Sequence, residues 1–355
     1  MSARSRDRRV YLGSHPVLFA LLAATRRRPV TRLGRTLLVH DRDALVAALT
    51  RIPLDRTAAG TTGGAAGQLT GGDLLFDQQG DEHRQTRRST SELLGAAGVE
   101  RLRPVWTELL ERRLKPLADG GRVDLVPVAA EMAGTTAAAL LGLPLDGLDL
   151  AEAAREAAAA AARAHLPGPR RRGAVELARV AAERLTSLVA PDGGAGAGLA
   201  TMLAVAAITT TVAGVPRAAA WACDADLWGY ADSPALADEL LRVTAPTPLL
   251  PRVAAAGGEL PGGCPVRAGD RMLLVARHAA GAHRAGPDPA RPAAARTSQL
   301  VFGAGPHACP GARLARVQLA DTLRALAPYR PVVVRARVDR RAALPSWRSL
   351  VVRPS

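Results

Sequence analysis

The chain has 355 residues, 48% of them hydrophobic and 22% charged, the balance of a folded protein rather than a disordered or fibrous one. Its net charge of +15 is nearly all arginine, since Lys115 is the only lysine, and a strong positive balance invites a nucleic-acid reading. Aromatic residues make up only 3%, too few to stack on bases, and no RNA-binding, zinc-finger or homeodomain signature is present, so nucleic acid is not expected as a partner.

In chain order, basic MSARSRDRR leads into the apolar run Pro16–Thr25. That run is too short to span a bilayer and lacks a small-residue cleavage site, so it reads as a short helix of the fold and no membrane is expected as a partner. A strand pair comes next, in RRRPVTRLGRTLLVHD. Helical periodicity then marks Asp43–Thr50, Glu82–Leu94, Arg101–Leu117, Leu125–Leu141, Ala151–His165, Arg172–Val189, Leu199–Trp221 and Pro234–Thr244. Short strands are expected at Thr36–Val39, Met272–Val275 and Pro331–Val338. Glycine-rich connectors at 57–72 and 191–198 interrupt the pattern without separating independent units. These elements predict a mainly α fold, one large helical domain over 1–355 with a minor β component. Cys223, Cys264 and Cys309 are odd in number and contain no C-x-x-C pair, which argues against a disulfide framework and a structural zinc site and fits a reducing cytoplasm.

The stretch LVFGAGPHACPGARLARVQLADTL, residues 300–323, reads as a strand, a glycine-rich turn and an amphipathic helix. Gly303, Gly305 and Ala308 satisfy the G-x-G-x-x-A dinucleotide fingerprint. The surroundings do not: alternating strand–helix units are missing, Asp321 falls inside the following helix, and some fifty residues remain downstream of Gly305. The other reading makes Cys309 a thiolate ligand to heme iron. A cysteine at a helix start has its pKa lowered by backbone N–H groups, glycines permit a tight turn against a flat macrocycle, and Pro310 suits a first helical position. A buried free cysteine in a capping turn is the plainer alternative.

The segment from Phe302 to Gly311 has the pattern F-x-x-G-x-x-x-C-x-G and resembles the heme-binding loop of the heme-thiolate monooxygenases, the cytochrome P450 superfamily, in its soluble bacterial, actinobacterial-like form. The resemblance implies the cytochrome P450 fold and heme b held through an axial thiolate from Cys309, with Phe302, Gly303 and Gly311 shaping the loop. It also implies propionate anchors in His83, Arg87, Arg252 and His307. A structural ion pair is implied in Glu239 and Arg242 of ADELLRVTAP, with Arg291 as third partner. On the distal helix the family's A-G-x-D/E-T-T segment superposes on AVAAITTTVAGVP, placing Ala207 at the glycine, Thr209 at the acid and Thr210 at the catalytic threonine. The acid is therefore missing, and Pro216 is expected to kink or end the helix early. The element ARHAAGAHR stands where the family has Asn-Arg-Asp.

The resemblance implies a cytoplasmic oxidoreductase. It would be a monooxygenase oxidising a small hydrophobic or natural-product biosynthetic intermediate, with O2 and electrons from a ferredoxin or similar donor. Arg84, Arg88, Arg313, Arg316 and Arg324 would form a basic docking patch or a plain solvated arginine face. The missing acid leaves open peroxide-dependent or non-hydroxylating oxidation, such as coupling or rearrangement, and a non-catalytic heme-binding homologue. A nicotinamide dehydrogenase without heme ranks last. Specificity would lie in residues 57–76, in 151–175 and on the distal helix.

Overall fold

A computed structural model describes residues 2–61, 63, 64, 67, 75, 78, 80–165, 173–194 and 196–355. The expected specificity regions 57–76 and 151–175 thus lie partly outside the described residues. The helices are α1 (Ala3–Ser14), α2 (Pro16–Thr25), α3 (Arg42–Thr50), α4 (Gly80–Leu94), α5 (Ala96–Ala118), α6 (Leu125–Leu141), α7 (Gly147–His165), α8 (Ala174–Val189), α9 (Ala197–Ala225), α10 (Pro234–Thr244), α11 (Ala276–Ala279), α12 (Ala295–Ser298) and α13 (Ala312–Leu326). The strands are β1 (Val30–Leu33), β2 (Thr36–Val39), β3 (Leu54–Asp55), β4 (Val123–Asp124), β5 (Leu250–Ala254), β6 (Gly258–Leu260), β7 (Cys264–Val266), β8 (Arg271–Leu274), β9 (Val332–Asp339) and β10 (Ser346–Arg353).

The larger sheet has the order β1-β2-β8-β5-β3, in which β2–β8 is parallel and the other pairs are antiparallel. A second sheet has the order β4-β10-β9, and β6 with β7 forms a hairpin. Among the described residues the only parallel pair is β2–β8, so the doubly wound sheet of a dinucleotide fold is absent.

The main core is built by α5, α6, α7, α9, α10 and α13, with Trp106, Met132 and Trp347 among its fully buried side chains. Helix α9 runs through this core, and every residue from Val212 to Ala222 is buried. It is long and apolar enough to cross a bilayer by length and composition. Contrary to expectation, Pro216 does not end it, for the helix continues to Ala225. A proline in a helix interior costs about 3 kcal/mol, and burial of a whole turn on either side outweighs that cost. An ion pair at the next residue adds to it. Arg217 Nε and Nη2 donate to Asp7 Oδ1 of α1 at 3.1 and 2.6 Å, both side chains being almost wholly buried.

Helix α1 is a departure from the sequence reading, which assigned no structure to MSARSRDRR. Its apolar content is low, and tertiary partners supply its stability. Asp7 Oδ2 also accepts from Arg277 at 3.0 Å, and the Tyr11 hydroxyl donates to the Thr244 carbonyl. The guanidinium carbons of Arg217 and Arg277 lie 4.4 and 4.1 Å from the Tyr11 ring centroid.

Three histidines meet where β2 ends against α11. His40 Nδ1 lies 2.9 Å from His278 Nδ1, His40 Nε2 lies 3.0 Å from Thr25 Oγ1, and the His278 and His283 rings are 4.7 Å apart. Burial lowers all three pKa values, to about 4 for His40, about 2 for His278 and about 4 for His283, with nearby Arg277 and Arg26 adding repulsion at the latter two. Each imidazole stays neutral in the fold while its unfolded counterpart takes a proton near pH 6.5. The unfolded chain therefore binds more protons below that pH, and stability must fall as pH drops from about 6.5 toward 4. Unfolding midpoints between pH 7 and 4.5 should decline, with these three imidazoles contributing up to three protons to the slope, and His278→Gln should reduce it. A flat profile in the unmodified protein would mean that these imidazoles are not held neutral.

Candidate functional site

Residues 299–311 form a loop closed on itself. Gln299–Phe302 is one 3₁₀ turn, not a strand, because Gly303 N–H reaches back to the Leu300 carbonyl at 3.0 Å. Gly303 then takes φ 79°, a left-handed backbone conformation that favours glycine. The loop ends when Cys309 N–H donates to the Phe302 carbonyl at 2.7 Å, which fixes the cysteine at the mouth of α13. Phe302 is held in turn by Arg316, whose guanidinium carbon sits 4.6 Å from the ring centroid. Gly311 has φ −83°, so the backbone does not demand a glycine there, and an added Cβ would rest 3.8 Å from Cys309 Sγ. Pro310 lies outside α13, which begins at Ala312 with Gly311 as its cap.

Cys309 is exposed, yet the protein mass around it pushes its thiol pKa up. The Gly311 N–H and the charges of Arg87 and Arg316 pull it down without prevailing. The helix-start argument for a spontaneously ionised thiolate is thereby corrected. Burial thus disfavours the thiolate in the chain alone, and a coordinating metal would deprotonate the thiol.

Beside this loop stand five basic groups. His83 on α4 is buried and stacks on His307, with ring centroids 3.8 Å apart and planes inclined by 28°. Burial lowers the His83 pKa, as do Arg87, Arg56 and Arg84, and burial with Arg56, His83, Arg252 and Arg87 drives His307 down to about 3. Burial and Arg56 bring Arg252 down to about 10. Burial also lowers Arg56 and Arg87, and Cys309 acts in the opposite sense on Arg87. Among the described residues no carboxylate figures among the charges acting on any of the five. Two buried polar atoms, His83 Nε2 and Arg252 Nε, have no hydrogen-bond partner. Cations crowded together with unpaired buried nitrogens define a receptor for an anion. A heme carries two carboxylates, and its iron accepts a thiolate, so the residues present fit that group.

Arg56 escaped the sequence reading. It follows β3 directly, whose Leu54 and Asp55 pair with Ala254 and Val253 of β5, and its charge acts on Arg252, the next residue back along β5. Only the strand pairing carries that signal.

Glu239 and Arg242 form a buried bidentate pair, with Nε to Oε1 at 2.8 Å and Nη2 to Oε2 at 2.6 Å. Burial would raise the Glu239 pKa, but Arg242 and two backbone N–H groups bring it below the usual carboxylate value. Those donors are Asp288 N and Ala293 N, each at 3.0 Å. Arg291 is not the third partner. Its side chain is 89% exposed and pairs with Asp288 at 3.2 Å, because backbone donors already fill the remaining Glu239 lone pairs.

On α9, Thr209 Oγ1 donates to the Val205 carbonyl at 2.6 Å and Thr210 Oγ1 to the Ala206 carbonyl at 2.7 Å, so both hydroxyls bond back into their own helix. Thr209 also lines a cleft of about 330 Å³ whose walls include Glu152, Arg155, Asp339, Arg341 and Leu344. The arginines of the expected basic patch are only partly free. Arg84 pairs with Asp81, Arg316 with Asp238, and Arg324 with Asp321 and Asp232. Arg88 and Arg313 are exposed.

This architecture is shared with solved bacterial enzymes. One neighbour is P450BioI in complex with an acyl carrier protein ligated to hexadec-9Z-enoic acid, with a TM-score of 0.76, 18% identity and coverage of 97% of this chain and 99% of that one. A mutant of P450 EryK in complex with erythromycin B gives 0.75, 21% identity and 96% of each chain. The mycinamicin VIII C21 methyl hydroxylase MycCI from Micromonospora griseorubida, bound to mycinamicin VIII, gives 0.71, 22% identity, 93% of this chain and 95% of that one. No family model matches the sequence and no curated protein matches it. The chain has the cytochrome P450 fold.

Proposed function

We propose that this protein is a heme-thiolate oxidoreductase of the monooxygenase type, with Cys309 as the axial ligand and heme b as its cofactor. The observation that carries this reading is the anion receptor of Arg56, Arg87, Arg252, His83 and His307 next to the loop that presents Cys309. Bound heme would supply oxygen activation, favoured by electron density from the thiolate. The chain's own part is to seat the carboxylates on Arg56, Arg87 and Arg252, to fix the Cys309 backbone through its N–H bond to the Phe302 carbonyl, and to manage protons on α9. The decisive test is the visible spectrum of the reconstituted protein, reduced and exposed to carbon monoxide. A red-shifted Soret band lost in Cys309→Ala supports the assignment, and a histidine-type spectrum or absence of heme uptake overturns it.

Thr210 is the proposed distal hydroxyl. To donate outward it must leave the Ala206 carbonyl, a modest cost that a bound substrate or water can offset. Thr210→Ala should reduce product formed per electron consumed by about tenfold or more, on the scale of a lost general acid. Thr209→Ala should change it less. Equal effects of both would remove the special role of Thr210.

The substrate is proposed to be a small biosynthetic intermediate bearing polar groups, since charged residues share the walls of the cleft beside Thr209 with apolar ones. EryK and MycCI were solved with erythromycin B and mycinamicin VIII, which supports a natural-product setting. A ferredoxin-like donor is proposed to meet the face that carries Arg88 and Arg313. The cysteines are free thiols, consistent with a cytoplasmic setting. A second reading, peroxide-dependent or non-hydroxylating oxidation, is favoured by Thr209 at the position of the missing acid. Product formation with peroxide alone, without a reductase chain, distinguishes it.

A further inference from the structure

Helix α2 turns an apolar stripe outward. Val17, Ala20, Leu21 and Ala24 are exposed at spacings of three, one and three residues, which is one face of a helix, and Leu22 alone in α2 is buried. Val17 is 83% exposed, the highest value among the exposed large hydrophobics, and Leu21 is 41% exposed. Leu12 at 36% and Leu33 at 45% are exposed on the neighbouring α1 and β1. The helix runs directly into Arg26, Arg27 and Arg28, all exposed. The first forty residues hold nine arginines and a single acid, Asp7. That acid is 3% exposed and engaged by Arg217 and Arg277. These forty residues therefore combine insertable apolar side chains with cations and contribute no free anion.

We propose that this face docks on the surface of a bilayer rich in anionic phospholipid, with α2 lying in the headgroup plane. An apolar helical stripe beside arginines is the composition that binds there, hydrophobic insertion and attraction to lipid phosphate acting together. A second copy of the chain is a poor occupant, because a two-fold contact would bring both sets of arginines face to face. Nucleic acid would leave the stripe without a partner, and the one ring on α2, Phe19, is engaged with Tyr11 at 5.0 Å. The contact is peripheral, not a span, and it does not rest on the heme assignment.

The test is co-sedimentation of the full chain with vesicles of phosphatidylglycerol and phosphatidylcholine, against vesicles of phosphatidylcholine alone. Binding is expected to the anionic vesicles only and should weaken in 0.5 M salt. The double variant Val17→Ser, Leu21→Ser should weaken it about tenfold, and Arg27→Glu with Arg28→Glu should abolish it. These positions are exposed, so circular dichroism and thermal midpoint should not change. No binding to anionic vesicles overturns the proposal. So does binding that the serine variant leaves intact, a dimer that the same variant dissociates, or competition by duplex DNA for a complex insensitive to Val17 and Leu21.

Discussion

Glu239→Gln is expected to lower the unfolding free energy by about 3–5 kcal/mol, the cost of stranding one partner of a buried ion pair. Arg242 would keep its bonds to the Ala280 and Gly286 carbonyls at 3.2 and 2.7 Å but lose the Glu239 carboxylate that neutralises it. The amide also presents hydrogens where the carboxylate now accepts from Asp288 N and Ala293 N, so at least one of those N–H groups loses its acceptor. Arg291→Ala, on the same segment, should stay within about 0.5 kcal/mol, as expected for an exposed side chain whose one ion pair lies at the surface. Denaturant titration of both variants measures the contrast. A Glu239→Gln protein as stable as its parent would mean that the pair contributes orientation and not stability.

The second large effect lies at the anion receptor, and its sign depends on the ligand. Arg252→Leu and Arg87→Leu should each weaken heme retention by roughly tenfold to a hundredfold, since a hydrogen bond to a charged group is worth about 1.5–3 kcal/mol. In the heme-free protein the same changes should leave stability unaltered or raise it. Arg56 repels Arg252 there, and each of Arg56, Arg87 and Arg252 loses part of its preference for the charged form through burial. Transfer of heme to apomyoglobin and thermal midpoints of the heme-free chain separate the two. If heme retention and heme-free stability fell together, the arginines would be structural and the receptor reading would be wrong. Retention of this group thus opposes stability, a trade common at binding sites.

The Cys309 loop was legible because its spacing fixes a turn that few sequences need. The core helices were legible because burial enforces their period, and Leu125–Leu141 and Pro234–Thr244 span the same residues in sequence and structure. The period of α9 was legible over Leu199–Trp221, and the end expected at Pro216 fails because propensity there was weighed without the burial that overrides it. Helix α1 was unreadable, since its stability resides in Asp7 and Tyr11 contacts with residues more than 200 positions away. The same limit hid Arg56, which becomes a neighbour of Arg252 only through strand pairing. Arg291 was misplaced for a different reason: the groups that complete Glu239 are backbone amides, which no side-chain pattern reveals.

The docking of α1 has a consequence for how the chain is made. Asp7 waits for Arg217 and Arg277, the latter 270 residues later, and Tyr11 waits for Thr244. At about 5–20 residues per second, a ribosome needs on the order of tens of seconds to supply those partners. During that interval the first helix lacks these partners, and β2 has only β1 beside it, its parallel neighbour β8 being still to come. The N-terminal segment is made first and can settle only after residue 277 has emerged. Slowing translation over the last third of the message should prolong its exposure, and a nascent chain arrested before Arg217 should be cut by protease within its first forty residues.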